Sequence, residues 1–172
     1  MKSKLTLRHI AAAAALVSLM APGLAGATTA GNTFQATVTV ISSCTVSGTT
    51  LNFGNSIDAL ATGTPLDATS ALSVQCTNTT PYTVALNAGT NAGGASNFST
   101  RLMKSGSNSL AYQLYLDNSR ATVWGDGTAS SSTLAGTGTG NVQTINIYGR
   151  LPSLANVVPG SYTDTVTVTV SY

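Results

Sequence analysis

Two cysteines, Cys44 and Cys76, and five aspartates are the residues best equipped for chemistry in this chain. The sole histidine, His9, sits in the N-terminal apolar region, and glutamate is absent. Past residue 9, therefore, neither a Ser-His-Asp nor a Cys-His constellation can assemble, and imidazole cannot ligate a metal. A paired-aspartate mechanism stays formally open among Asp58, Asp67, Asp117, Asp126 and Asp164, because general acid work needs only one carboxyl of raised pKa. The expectation is a protein that is not an enzyme and holds no cofactor or metal. Cys44 and Cys76 are spaced far from the C-x-x-C of a reactive pair and read as a disulfide in an exported chain, with a reactive thiol pair as the alternative. Closing a loop of about 30 residues would stabilise the fold by roughly 3–4 kcal/mol in the chain-entropy account.

Other motifs carry less. Gly136–Gly140 reads "GTGTG", which lacks GxGxxG spacing and precedes a strand-like run where a phosphate loop would open a helix. It is expected to be a flexible loop. "WGDGT" at Trp124–Thr128 puts Asp126 in a glycine-rich stretch that suits a tight turn better than a calcium loop. Asn78 and Asn97 head glycosylation-like triplets of a kind that arises by chance in Asn/Ser/Thr-rich sequence.

Export follows from the N-terminus. Lys2, Lys4 and Arg8 precede the apolar "IAAAAALVSLM", and "AGA" at residues 25–27 is a small-residue cleavage site. Residues 1–27 are thus expected to be a secretory signal peptide, its apolar run being shorter than the ~20 residues of a membrane span. Residues 28–172 then hold four cations against five aspartates, a net of −1. That scattered charge offers no basic stripe for nucleic acid and no polybasic patch for lipid.

The rest of the chain is read as strands. Runs at 34–41, 50–54, 71–76, 82–89, 101–105, 110–117, 121–125, 143–151 and 161–172 are apolar or alternate, and clusters of Gly, Ser, Thr and Asn separate them. No 3.6-residue period is sustained. Eight or nine short strands predict an antiparallel sandwich or small barrel, with residues 127–140 as a hairpin loop. The two ends of this array are the most regular. Phe34, Ala36, Val38 and Val40 fall on one face of the first strand, and Tyr162, Val166, Val168, Val170 and Tyr172 on one face of the last. Burying the four apolar side chains of 34–40 is worth roughly 5–10 kcal/mol at ~1.5–3 kcal/mol per large side chain. That rivals the ~5–15 kcal/mol net stability of a domain, so one strand pairing with another chain would hold two domains firmly together. Two ordinary strands of one closed sandwich is the alternative.

The ordered set "TFQATVTVISSC", "LNFG", "LSVQC", "PYTVALNAG", "LAYQLYLD", "WGDGT", "YGRLP" and "GSYTDTVTVTVSY" resembles the spore coat protein U domain over nearly all of residues 33–172. That family includes pilin subunits of archaic, Csu-type chaperone-usher pili. The resemblance implies an all-β fold: an incomplete immunoglobulin-like antiparallel β-sandwich (residues 42–172) that lacks its last strand and is completed by a donor strand. It implies that residues 28–41 are the donor segment, with Phe34, Ala36, Val38 and Val40 entering a neighbour's groove. Val166, Val168, Val170 and Tyr172 would form the acceptor edge that first meets a periplasmic chaperone. The implied partners are that chaperone, an outer-membrane usher and neighbouring pilin subunits. The implied product is a surface pilus for adhesion and biofilm formation. A spore or cyst coat protein with the same domain and no pilus is the second reading. An eight-stranded outer-membrane barrel would suit the length and alternation. Too few aromatics, the cysteine pair and the Pro/Gly breaks argue against it.

Overall fold

The computed structural model describes Gly26 and residues 28–172. The expected signal peptide, residues 1–27, lies outside the described residues apart from Gly26. The chain divides into two units, Met1–Val38 and Thr39–Tyr172. In the first, residues 28–38 form neither helix nor strand and their side chains are exposed.

The second unit is built of antiparallel strands: β1 (Cys44–Gly48), β2 (Leu66–Cys76), β3 (Pro81–Leu86), β4 (Leu102–Ser105), β5 (Asn108–Ala111), β6 (Gln113–Tyr115), β7 (Leu134–Thr137), β8 (Val142–Leu151) and β9 (Val168–Ser171). One sheet has the order β1-β2-β8-β6, a second has β7-β3-β9, and β4-β5 is a separate hairpin. Strand β2 pairs with β8 from Leu66↔Leu151 to Gln75↔Val142, which puts Leu72, Val74 and Cys76 on the same inner face as Ile145, Ile147 and Leu151. Tyr82, Val84 and Leu86 of β3 meet them from the other sheet. The period of two has placed an apolar face on each sheet, and the two faces make the core. Trp124 is wholly buried between them and donates its indole N–H to the Val84 carbonyl at 3.1 Å, so its one polar atom is satisfied.

Cys44 and Cys76 are direct partners in the β1–β2 register and are joined by a disulfide across 32 residues of sequence. On the outer face, Asp67 accepts two hydrogen bonds from Arg150, at 2.7 and 3.0 Å, and pairs with Arg120 at 3.1 Å. The Arg150 bonds hold its carboxyl below the usual carboxylate range, Arg120 adding to the effect.

Several strand boundaries differ from the sequence reading. Residues 34–41 form no strand, and "LNFG" at 51–54 lies in a non-strand segment between β1 and β2. Strand β1 was not foreseen at all. Its side chains after Cys44 are exposed, so no alternation marks it. The run 110–117 divides at Tyr112: its N–H bonds the Arg101 carbonyl at 3.0 Å in continuation of the β4–β5 register, and residues 113–115 then pair with β8 instead. Residues 121–125 contribute only the isolated bridges Tyr115↔Val123 and Trp124↔Ser132. The regular part of the last strand starts at Val168.

The glycine-rich stretch is the clearest reversal. Residues 134–137, expected in a hairpin loop, are strand β7 and pair with β3 from Pro81↔Thr137 to Val84↔Leu134. A Cβ on Gly136 would fall 2.4 Å from Cζ of Tyr82, and one on Gly138 would fall 2.3 Å from the Thr77 carbonyl oxygen. The glycines are there for close approach, which composition cannot distinguish from flexibility. Because the Tyr82 ring is buried and cannot swing away, Gly136→Ala is expected to cost about 1–3 kcal/mol by overpacking. Thermal or urea unfolding of the variant measures it. The residues of "WGDGT" do form a turn: Asp126 accepts bonds from the Thr128 N–H at 2.9 Å and hydroxyl at 2.6 Å.

Candidate functional site: an open groove between the sheets

A groove of about 1580 Å³ opens between the sheets. Residues 48–60, which follow β1, form one wall, and residues 160–168, which lead into β9, form the other. Leu72, Leu86, Leu114, Ile147 and Leu151 make its apolar floor. On the first wall Leu51 and Phe53 turn inward against Gly149, where a Cβ would meet them at 2.5 and 2.9 Å. Val166 and Val168 turn inward from the second.

The backbone of the second wall is half used. In an antiparallel strand each residue's N–H and C=O point to the same side, and successive residues alternate. Thr165 and Thr167 present their carbonyls to Thr90 and Asn87, at 3.1 and 3.0 Å, on the β3 side. Alternation turns the backbone groups of Val166, Val168 and Val170 the other way, toward the groove, where β9 has no neighbouring strand among the described residues. Strand β1 likewise ends its own sheet. The β9 wall therefore offers unpaired strand edge above an apolar floor, which is the requirement for taking up a further strand, and the facing wall is the non-strand segment that leaves β1 at Gly48.

A polar cluster marks one part of this groove. Asp164, half-buried on the same face as Val166, accepts the Tyr112 hydroxyl at 2.6 Å on one oxygen. On the other it accepts the Thr90 hydroxyl at 2.9 Å, the Asn91 N–H at 3.2 Å and the Asn91 side-chain amide at 3.0 Å. Burial, reinforced by this carboxylate, holds the Tyr112 phenol well above its usual range, so it stays a donor. Nearby Arg101 is fully buried and donates from Nη2 to the Trp124 carbonyl at 2.7 Å, with its guanidinium 5.4 Å from the centre of the Phe98 ring. Burial lowers its pKa from the ordinary arginine value, and Tyr112 and Asp164 oppose that shift.

Of the residues expected on the acceptor edge, Val166 and Val168 line the groove, Val170 continues the same inward face, and Tyr172 is 61 % exposed beyond the strand. Of the expected donor residues, Phe34 is 92 %, Val38 87 % and Val40 81 % exposed, and Ala36 is exposed too. The sequence reading named Asp164 only among the aspartates left open for general acid work and gave Tyr112 no role. Asp164 sits at an inward position of the last strand, and a charged residue in an otherwise apolar face was the available signal. Among the described residues there is no group of three or more His, Cys, Asp or Glu able to hold a metal, and no helix long and apolar enough to cross a membrane.

Comparison with known proteins bears on the same residues. A family model for the Spore Coat Protein U domain matches residues 30–169. The chain is 33% identical over 174 residues to Protein U of Myxococcus xanthus, an alignment covering 95% of this chain and 96% of that protein. Among solved structures it is similar to a chain in the CsuC–CsuE chaperone–tip adhesion subunit pre-assembly complex from the archaic chaperone-usher Csu pili of Acinetobacter baumannii. That match has a TM-score of 0.54 and 25% identity, covers 78% of this chain and spans only 40% of the solved one. An all-β sandwich left open along one groove, matched in sequence across residues 30–169, is thus a member of the spore coat protein U domain family.

Proposed function

We propose that this chain is a structural pilin subunit that polymerises by donor-strand complementation. The observation that carries the reading is the groove, with the unpaired β9 edge on one wall and an apolar floor. Residues 28–41 supply a matching occupant: a segment outside helix and strand with apolar residues at every second position from Phe34 to Val40, all exposed in the chain that carries them. Those seven residues extend to about 20 Å at ~3.3 Å per residue. That length suits the edge running from Asp164 to Val170. A segment of one copy entering the groove of the next is a head-to-tail contact that does not close on itself, and so it builds a filament. The chain is a structural protein and not an enzyme.

The relationship to a chaperone-bound Csu subunit supports a periplasmic chaperone as the first occupant of the groove and an outer-membrane usher as the site of exchange. The proposal carries with it export through the periplasm to a surface pilus, with roles in adhesion and biofilm formation. The likeness to Protein U favours a second reading, a coat protein that uses the same domain without a pilus.

The test compares residues 28–172 with residues 42–172. The longer chain is expected to assemble, as followed by light scattering. The shorter one is expected to stay monomeric, melt at lower temperature and regain stability when a synthetic peptide of residues 28–41 is added. A longer chain that remains a stable monomer, indifferent to the peptide, would falsify the proposal and favour a self-complete coat domain.

A further inference from the structure

The acceptor edge has to stand at the right height above the floor before any strand arrives, yet regular β9 pairing begins only at Val168. Between Tyr162 and Thr167 the chain is held by separate contacts. Thr163 exchanges backbone bonds with Lys104 at 2.9 and 3.0 Å, Thr167 accepts from Asn87 and donates to its side-chain oxygen at 2.9 Å, and Asp164 gathers four further bonds. The Asp164 partners come from different elements. Thr90 and Asn91 follow β3 of the three-stranded sheet, while Tyr112 joins β5 of the hairpin to β6 of the four-stranded sheet.

We infer that the Asp164 carboxylate is a positioning group for strand capture, tying the open edge to both sheets so that the groove is set at the spacing an added strand needs. This rests on the donor-strand reading above. Gly89 fits the role: its φ is +96°, and a Cβ there would lie 2.0 Å from an Asp164 oxygen, so the backbone closes directly onto the carboxylate. Tyr112 lines the groove and bonds Asp164 through its hydroxyl, so Tyr112→Phe removes that bond and keeps the ring that fills the core. A strand that enters a preset edge pays little for ordering it, and that saving appears in the association rate.

The experiment uses residues 28–172 at nanomolar concentration, where self-assembly is slow, with an excess of fluorescently labelled peptide 28–41. Association and dissociation rates come from anisotropy, and Trp124 emission reports whether each variant is folded. Tyr112→Phe is expected to slow association about tenfold, the scale of one hydrogen bond to a charged group, and to leave dissociation nearly unchanged. Thr90→Ala, at an exposed residue, is expected to act in the same direction and more weakly. Wild-type association rates in both folded variants, with any loss confined to dissociation or melting, overturn the inference and leave strand capture intact. If Tyr112→Phe does not fold, Thr90→Ala decides by the same criterion. If the wild-type chain takes up no peptide, the donor-strand reading fails and this inference falls with it.

Discussion

Replacing Val168 with aspartate is expected to abolish strand capture while the domain itself stays folded. Val168 is half-buried, its side chain faces the groove and its backbone belongs to the free edge. With the groove open, an aspartate there keeps part of its hydration. A strand laid over it would seal the carboxylate against Leu72, Leu86 and Ile147, with no cation lining the groove to meet it. Burying one uncompensated charge costs about 3–5 kcal/mol, or roughly two to three and a half orders of magnitude in affinity. Val168→Thr is the control: it keeps the shape and adds a single hydroxyl, for about 1–3 kcal/mol. Equilibrium titration with labelled peptide 28–41, alongside light scattering of residues 28–172, reads both. An aspartate variant that binds as the wild type does would mean that the strand docks elsewhere and that the groove is a packing defect.

The inward face of the last strand was legible because Val166, Val168 and Val170 alternate with threonines, and a period of two has few other causes. Residues 34–40 show the same alternation and form no strand in the isolated chain. Alternation reports that a segment suits a half-buried strand; it does not report which chain supplies the other half. The β7 error has a different origin. Gly136 and Gly138 looked like loop because glycine carries no pattern, and the reason for them is a Tyr82 ring and a Thr77 carbonyl more than 50 residues away. Strand β1 escaped because an edge strand whose side chains face water after Cys44 has nothing to alternate with. Asp164 was hidden by its neighbours in sequence: its partners are 52 to 74 residues distant, and only the folded chain brings Thr90, Asn91 and Tyr112 to one carboxylate. The cysteines could be paired from the sequence because export and an even count left each with one partner, and the β1–β2 register sets the two opposite each other.

Removing that disulfide by Cys44→Ala with Cys76→Ala is expected to cost about 3–4 kcal/mol, the loop-closure entropy returned to the denatured chain. For a domain of this size that lowers the melting temperature by roughly 10–20 °C. The loss should not be spread evenly. Strand β1 is the edge of its sheet, its residues after Cys44 are exposed, and Cys44 is the one β1 side chain packed against the core. Without the bond β1 is held by its ladder to β2 alone, so its amides should exchange much faster than those of β8, which is paired on both sides. The position also bears on assembly. Residues 28–43 run directly into Cys44. If they are anchored in a neighbouring subunit, any pull along the fibre reaches this domain at Ser43, bonded to Thr77, and at Cys44, whose disulfide passes it to Cys76 on β2, which is paired between β1 and β8. The reduced fibre is therefore expected to fail at lower force than the oxidised one, by peeling of β1, in single-filament extension. Equal rupture forces would mean that the ladder of β1 on β2 carries the load unaided, and the value of the bond would then lie wholly in the denatured state.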